Sequence, residues 1–236
     1  MRPHFATSIT YFLQEGRENL PECLKIVFQS AKQQSIEKIV IFTARGEGVQ
    51  MALETFCPLE EYRNIQLVAV TFPQGKEFTH ENKPLDVRIP DETKKLLANH
   101  NVPIIRAHLP FDPIAPPFSD RGVLAQDLSL VESALNIFGG GMSLCVQAVV
   151  LACDAGAVEL GEHVIAMTSD TAILVQAAAT RRMLRELVVR EILCKPAILS
   201  IGRKESQIEG RISPKMIEGE ADQKPLLGEG KADTAK

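Results

Sequence analysis

The sequence alternates short, continuously apolar segments with longer segments whose apolar residues recur at helical spacing. The clearest apolar segment spans residues 36–43 and contains the run Ile39-Val40-Ile41-Phe42. An uninterrupted run of β-branched and aromatic residues is typical of a strand covered on both faces. The alternation therefore predicts an α/β fold of three αβα layers, with a mostly parallel sheet and right-handed crossovers.

The other predicted elements follow the same order. Strands are predicted at 8–13, 65–71, 102–107, 164–168, 172–176 and 187–194, and helices at 20–31, 49–56, 90–100, 123–138, 142–155 and 181–186. The first helix carries a capping signal, because Asn19 precedes it and Glu22 follows three residues later. That spacing predicts a capping box.

Chain length and a change of composition predict the domain organisation. A chain of 236 residues is long enough to bury a core without disulfides or metals. From about residue 202, charges of both signs, scattered glycines and two prolines replace the apolar segments. Such a segment buries too little apolar surface to offset its ordering entropy. We expect a domain at 1–201 and a disordered polar tail at 202–236.

Composition also narrows the class of partner and the cellular location. The net charge of -4 argues against a nucleic-acid partner, and no apolar run approaches the roughly 20 residues of a membrane span. The first residues lack the apolar stretch of a signal peptide. The five cysteines form no C-x-x-C pair and the histidines share no metal-ligand spacing. We therefore predict a cytoplasmic protein with reduced, buried thiols and no metal site.

Candidate ligand-binding residues come directly after the predicted strands, because parallel α/β sheets bind ligands beyond the carboxyl ends of their strands. The candidates share hydroxyl groups, charges or glycine flexibility: Thr43, Ala44, Arg45, Gly46, Glu47 and Gly48 after the second strand, Thr71, Gln74 and Gly75 after the third, Arg106 and His108 after the fourth, and Thr168, Ser169 and Asp170 after the fifth. Strand ends are also polar simply because they meet water, and this alternative stays open.

Segment 43–48 is the most informative of these strand ends. It joins a predicted strand to a predicted helix through glycines, which brings free backbone N–H groups and the positive helix end together and favours an anion such as phosphate. Arg45 can add a bidentate contact, whereas Glu47 repels an anion unless it points away. The segment matches neither G-x-x-x-x-G-K-[ST] nor G-x-G-x-x-G. A plain glycine turn between strand and helix remains the alternative.

A family resemblance is carried by the same residues. The segment Ile39-Val40-Ile41-Phe42-Thr43-Ala44-Arg45-Gly46-Glu47-Gly48-Val49, followed by Leu67-Val68-Ala69-Val70-Thr71, resembles the C-terminal domain of pyruvate kinase, with its pattern of strand, T-x-S-G-x-[ST]-A and a strand ending in A-V-T. Residues 9–196 resemble a family of stand-alone archaeal and bacterial proteins with that fold. Supporting segments include Gly139-Gly140-Gly141, Cys145-Val146 and Asp170-Thr171-Ala172.

The resemblance implies a phosphate site rather than a catalytic one. In pyruvate kinase the corresponding turn holds a phosphate of a sugar-bisphosphate effector, and stand-alone members are associated with flavin mononucleotide (FMN). Carried over by motif, the positions are Thr43, Arg45, Gly46 and Gly48. Arg45 replaces a hydroxyl residue of the family pattern, and Gly48 replaces a Ser or Thr. The loop before Asp170 is also shorter than in the stand-alone family.

Three hypotheses about function remain open. The first is a binding protein for a phosphorylated small molecule, with FMN as the candidate cofactor. It has no pyruvate kinase activity, because the catalytic barrel alone needs about 250 residues. The second is an enzyme using the same pocket for flavin-dependent or phosphate-ester chemistry, with His108 or Asp170 as its acid or base. The third is a regulatory module that recruits partners through its tail and helical surface.

Two further expectations concern aromatic residues and assembly. Stacking on a flavin ring would fall to phenylalanines, since the chain has no tryptophan; the candidates are Phe72, Phe78, Phe111 and Phe118. The last two lie in the proline-rich segment 109–119, which can act as a lid. The apolar helices also predict a homo-oligomer.

Overall fold

The protein is described by a computed structural model that covers residues 7–74, 78–80, 83–85, 87–112, 123–139 and 141–197. Its strands are β1 (Thr10–Phe12), β2 (Lys38–Phe42), β3 (Gln66–Thr71), β4 (Phe78–His80), β5 (Lys83–Leu85), β6 (Ile104–Arg106), β7 (His163–Met167), β8 (Ala172–Gln176) and β9 (Val188–Pro196). Its helices are α1 (Leu20–Gln34), α2 (Glu47–Thr55), α3 (Asp91–Asn99), α4 (Val123–Asn136), α5 (Met142–Asp154) and α6 (Met183–Glu186).

The main sheet has the strand order β1-β9-β8-β7-β2-β3-β6. β2 pairs in parallel with β3 and β7, β3 with β6, and β1 with β9, while β8 is antiparallel to both of its neighbours. The predicted α/β class with a mostly parallel sheet is thus confirmed. β8 is reversed because only residues 168–171 connect it to β7, which is too short for a crossover connection. Separately, β4 and β5 form an antiparallel hairpin that the sequence analysis did not predict.

Helices cover both faces of this sheet. Ile39 and Ile41 of β2 contribute to a core that includes buried residues of α1 and α2, whereas Val40 and Phe42 contribute to a second core built largely on α5. Alternate residues of a strand point to opposite faces. The two cores therefore lie on opposite sides of β2, and this explains why its apolar run is continuous rather than alternating.

The strand order reverses beside β2. From β2 the chain proceeds through α2 to β3 and through α3 to β6 on one side, and it then returns through α4 and α5 to β7 on the other side of β2. Such a reversal leaves a crevice at the carboxyl ends of the two central strands. Here those ends are Phe42 and Met167.

The start of α1 differs from the predicted capping box. Asn19 precedes the helix, but its side-chain amide donates to the Gln14 carbonyl at 2.8 Å and makes no capping hydrogen bond. Glu22 instead pairs with Lys25 Nζ at 3.3 Å. Asn19 ends a 3-10 turn and already has helical backbone angles (φ -80°, ψ -12°), whereas a capping side chain usually needs extended ones. The capping-box prediction is therefore wrong.

Other predictions have mixed outcomes. Cys23, Cys145, Cys153 and Cys194 are buried, which confirms the predicted burial for these four thiols, whereas Cys57 is only half-buried. None of the helices in the described ranges combines the length and apolarity needed to cross a bilayer. The predicted tail at 202–236 and its boundary at 201 lie outside the described residues.

Candidate functional site

A pocket of about 180 Å³ opens at the carboxyl ends of β2 and β7, in the crevice where the strand order reverses. We call it the strand-end pocket. Its lining comes from the ends of β2, β3 and β7 and the starts of α1, α2 and α5, and consists of Arg17, Leu20, Ile41, Phe42, Thr43, Ala44, Glu47, Gly48, Phe72, Leu144, Thr168 and Ser169. Predicted site residues from two different strand ends thus lie together: Thr43, Ala44, Glu47, Gly48, Thr168 and Ser169.

The turn after β2 is held from both sides. The Thr43 amide donates to the Val70 carbonyl at 2.9 Å and continues the ladder between β2 and β3. The Thr43 hydroxyl accepts a hydrogen bond of 2.9 Å from the Gly46 amide, and the buried Thr71 hydroxyl donates to the Ala44 carbonyl at 3.4 Å. Two predicted site residues, Thr71 and Gly46, therefore shape the turn rather than line the pocket.

Gly46 is required by its backbone conformation and by its surroundings. Its φ of 96° lies in the left-handed region that side chains disfavour. A Cβ atom at this position would lie 2.6 Å from Thr93 Cγ2 on α3. The glycine therefore allows the chain to turn into α2 while α3 packs closely against the turn.

The first turn of α2 presents amides at the pocket. Within the described ranges, the N–H groups of Glu47 and Gly48 donate to no protein acceptor, as is usual at a helix start. Gly48 is buried, and a Cβ there would lie 3.2 Å from Ile41 Cγ2 and 3.5 Å from Leu20 Cδ1. The contact with Ile41 is tight and the one with Leu20 is an ordinary van der Waals contact, so a side chain at this position requires Ile41 to shift slightly.

One ion pair contributes both signs of charge to the pocket lining. Arg17 Nη1 lies 3.3 Å from Glu47 Oε1, and the two side chains are 63% and 43% exposed. Glu47 thus lines the pocket rather than pointing away, and Arg17 offsets its charge. An exposed pair of this kind adds little stability, at most about 1 kcal/mol. Either side chain is consequently free to re-pair with a ligand at small cost.

Asp170 lies behind the pocket and does not line it. Its buried carboxylate accepts hydrogen bonds from the Gly16 amide at 3.0 Å, the Thr168 hydroxyl at 3.3 Å and the Thr171 hydroxyl at 3.0 Å. Both oxygens are therefore engaged within the protein. This geometry gives Asp170 a positioning role and offers no support for its predicted role as an acid or base.

Several predicted site residues are not brought to the pocket. Arg45 and Gln74 are exposed and outside its lining, and so is Arg106 at the end of β6. The exposed His108 is also outside the lining, and its Nε2 lies 2.9 Å from the Asp112 carbonyl oxygen. Gly75 lies outside the described residues. The site therefore forms chiefly between β2 and β7, with Phe72 as the lining residue that follows β3, and none of its lining comes from β6.

Among the described phenylalanines predicted to stack on a flavin ring, the structure brings one to the pocket. Phe72 lines the pocket and meets Phe42 edge to face, with ring centroids 4.8 Å apart. Phe111 is 1% exposed, its amide donates to Gln147 Oε1 at 3.0 Å, and it does not line the pocket, so its predicted stacking role is wrong. Residues 113–119 of the predicted lid lie outside the described residues. Phe118 and the side chain of Phe78 lie outside the described part of the chain.

Sequence reasoning missed five pocket residues: Arg17, Leu20, Ile41, Phe42 and Leu144. Ile41 and Phe42 were predicted only as part of the buried strand. Arg17 carried a usable signal, because it comes after the predicted strand 8–13 just as the other candidates come after theirs. Leu20 and Leu144 are ordinary apolar helix residues, and only the packing of α1 and α5 against the sheet places them at the site.

Neither a group of metal-binding side chains in the part of the chain that the structure describes nor a match to a known protein family indicates what the strand-end pocket binds. Among the residues described, no three His, Cys, Asp or Glu side chains form a group that could hold a metal ion. Comparison of the sequence with models of known protein families gives no match. The resemblance to the pyruvate kinase C-terminal domain therefore stays a prediction, and the chemistry of the strand-end pocket has to be understood from this chain's own residues.

Proposed function

We propose that this chain is a small-molecule-binding protein whose strand-end pocket holds the phosphate of a phosphorylated ligand. The observation that carries the proposal is a convergence of hydrogen-bond donors on one cavity. The amides of Glu47 and Gly48, the Arg17 guanidinium and the hydroxyls of Thr43 and Ser169 all belong to residues that line this cavity. Thr168 also lines it, but its hydroxyl already donates to Asp170. Free amides at a helix start and a nearby guanidinium are the groups that bind phosphate oxygens.

The size and lining of the pocket favour a small ligand. A cavity of about 180 Å³ is below the roughly 300 Å³ at which typical ligand pockets begin. Leu20, Ile41 and Leu144 make part of its wall apolar, which suits a short organic group attached to the phosphate. If FMN is the ligand, the phosphate end occupies the cavity and the flavin ring lies at its mouth, with Phe72, which lines the pocket, as the candidate for stacking.

The proposed phosphate position coincides with the turn that resembles the pyruvate kinase C-terminal domain, and we extend the proposal to that fold. The strand–turn–helix arrangement of β2 and α2 supports it. The tight contact that a Cβ at Gly48 would make with Ile41 offers a physical reason why this chain lacks the family's hydroxyl residue there. Because His108 and Asp170 do not line the pocket, its geometry supports binding rather than catalysis.

The experiment is a titration of the protein with inorganic phosphate and, separately, with FMN. Binding of either compound is monitored by the shift in melting temperature, and binding of FMN also by the change in flavin fluorescence. Arg17→Gln removes the cation that lines the pocket, while Arg45→Gln removes a nearby exposed cation outside the lining and is the matched control. We expect Arg17→Gln to weaken phosphate binding about tenfold, which corresponds to about 1.4 kcal/mol, and Arg45→Gln to change it less than about twofold.

Two outcomes would contradict the proposal. The first is the absence of any response to either compound at roughly 10 mM, a concentration that detects binding of only about 3 kcal/mol. The second is the reverse order of the two variants. A larger loss in Arg45→Gln would place the anion on the outer side of the turn instead of in the strand-end pocket.

A further inference from the structure

Two buried thiols from distant parts of the chain touch each other. Cys23 lies on α1 and Cys194 on β9, and their sulfur atoms are 3.4 Å apart. Both residues are 0% exposed and belong to the core between α1 and the sheet. A disulfide has a sulfur–sulfur distance of about 2.05 Å, so the atoms need to approach by about 1.4 Å to form a bond.

A third buried thiol nearby, that of Cys145, is engaged in a different hydrogen bond. Cys145 lies on α5, in the second core, and its S–H donates to the Thr171 carbonyl at 3.6 Å. Cys23 Sγ is also 3.7 Å from the Thr168 carbonyl oxygen, which is an alternative acceptor to Cys194 for its single S–H. Cys194 is therefore the sulfur that is positioned to react with Cys23.

We propose that Cys23 and Cys194 form an intramolecular disulfide when the protein meets a hydroperoxide, and that this bond fastens α1 to β9. The pair is thus an oxidative modification site next to the strand-end pocket, because Leu20, one helical turn before Cys23, lines that pocket. The inference does not depend on the proposed phosphate ligand, because it concerns only the two thiols.

The chemistry has two steps. The thiolate of one cysteine attacks the peroxide, the O–O bond breaks, and a sulfenic acid and a hydroxide or alkoxide form. The sulfur of the second cysteine then attacks the sulfenic sulfur, the S–S bond forms and the S–O bond breaks, releasing water. Overall, the two thiols lose two protons and two electrons, and the hydroperoxide is reduced to water and the corresponding alcohol, or to two waters if it is hydrogen peroxide.

The location of the pair determines how fast it reacts. The hydrogen bond to Cys194 and then burial raise the pKa of Cys23 well above its ordinary value, so little thiolate is present in the closed structure. Access is easiest through the start of α1, because that helix begins without a side-chain cap and Cys23 lies in its first turn. Local opening of a helix end requires less free energy than global unfolding. We therefore expect oxidation without unfolding, at a rate slower than for the half-buried Cys57.

The test uses the full-length protein in a Cys57→Ser/Cys153→Ser background, which removes the two remaining thiols and prevents links between molecules. The protein is treated with excess hydrogen peroxide at pH 8, unreacted thiols are alkylated, and the digest is analysed by mass spectrometry. We expect a peptide pair joining Cys23 to Cys194, an intact mass lower by two hydrogens, and reversal by dithiothreitol. Cys194→Ser abolishes the link, whereas the matched control Cys145→Ser retains it.

The wild-type protein provides the decisive measurement if a variant does not fold. Oxidation is continued until its Cys57 is fully consumed and is repeated at urea concentrations just below the unfolding transition. The proposal is overturned if Cys23 and Cys194 remain alkylatable throughout, if Cys145 supplies the link instead, or if Cys23 accumulates as sulfinic acid with Cys194 still reduced.

Discussion

The amide of Gly16 donates a hydrogen bond of 3.0 Å to the Asp170 carboxylate, although 154 positions of the sequence separate the two residues. The same carboxylate accepts from the hydroxyls of Thr168 and Thr171. Gly16 immediately precedes Arg17, and both Arg17 and Thr168 line the strand-end pocket. One buried side chain therefore joins the two segments that carry the Arg17 and Thr168 walls of the strand-end pocket.

Removing this carboxylate should destabilise the fold. We expect Asp170→Ala to lower the free energy of unfolding by about 3 kcal/mol, because hydrogen bonds to a charged acceptor contribute about 1.5–3 kcal/mol each and are not additive. Asp170→Asn should cost less, since its carbonyl can keep the Gly16 amide while the threonine hydroxyls rotate to accept from its NH₂ group. Urea unfolding of the three proteins measures both values. A stable Asp170→Asn variant that no longer binds phosphate would instead indicate a direct functional role.

A second prediction separates backbone strain from crowding in the turn before α2. Gly46 and Gly161 both have positive φ (96° and 79°), but a Cβ at Gly46 meets Thr93 Cγ2 at 2.6 Å, whereas a Cβ at Gly161 meets nothing within 4 Å. Gly161→Ala should therefore lower the free energy of unfolding by about 1 kcal/mol, through backbone strain alone. Gly46→Ala should lower it by roughly 1–2 kcal/mol more, because the added Cβ also overpacks against Thr93. Chemical denaturation provides both numbers. Equal costs would show that the turn relaxes away from Thr93.

The third prediction concerns the acidic residue in the lining. A negative charge about 6 Å from a bound phosphate disfavours binding by about 0.7 kcal/mol in water for each unit of charge on the phosphate, or roughly threefold in affinity for the monoanion. Glu47→Gln should therefore strengthen binding of inorganic phosphate about threefold, and added salt should shrink this difference by screening. Glu54→Gln, in the last turn of the same helix, is the control and should have a smaller effect. Weaker binding in Glu47→Gln would mean instead that Glu47 is needed to position Arg17 through their ion pair.

The fourth prediction concerns the buried thiol of Cys145, whose pKa is raised well above its ordinary value, chiefly by burial. Below the unfolded-state pKa of about 8.5 the thiol is protonated in both states, and its contribution to stability is complete. At higher pH the unfolded chain releases the proton while the folded protein retains it. The free energy of unfolding should then fall by about 1.4 kcal/mol per pH unit for this group.

Cys145→Ser isolates that contribution, because serine keeps a donor for the Thr171 carbonyl and does not ionise in this range. Urea unfolding of the variant and the wild type under reducing conditions, between pH 8 and 10, should give a shallower decline for the variant. Lysines and tyrosines titrate in both proteins and cancel in the difference. Parallel pH profiles would refute the assignment.

The fold was predictable where the signal is local. The continuous apolar runs gave β2 and β8 to within two residues, and the boundaries 172–176 agree with the structure at both ends. The capping box failed because the 3-10 turn before α1 fixes the backbone of Asn19 in a helical conformation. The β4–β5 hairpin was missed because strands of three residues are too short to show a period.

The site was only partly predictable because it depends on strand order. The polar residues at the carboxyl end of each predicted strand include Thr43 and Thr168, but they also include His108, since local sequence carries no signal for which strand ends are neighbours. The reversal beside β2 brings the end of β7 to the end of β2 and leaves β6 two strands away. Leu20 joins the pocket only through the packing of α1 against the sheet.

Because β8 runs against its neighbours, one side of the pocket is formed by a tight hairpin, closed by a 2.8 Å hydrogen bond from the Thr168 amide to the Thr171 carbonyl. The length of a hairpin loop can change while the strands on either side keep their pairing. We therefore expect residues inserted at Ser169 to lengthen this hairpin loop and partly cover the opening of the pocket, while the pairing of β7 and β8 is kept. The range of compounds that fit could thus be altered, by evolution or by design, at a single point of the chain.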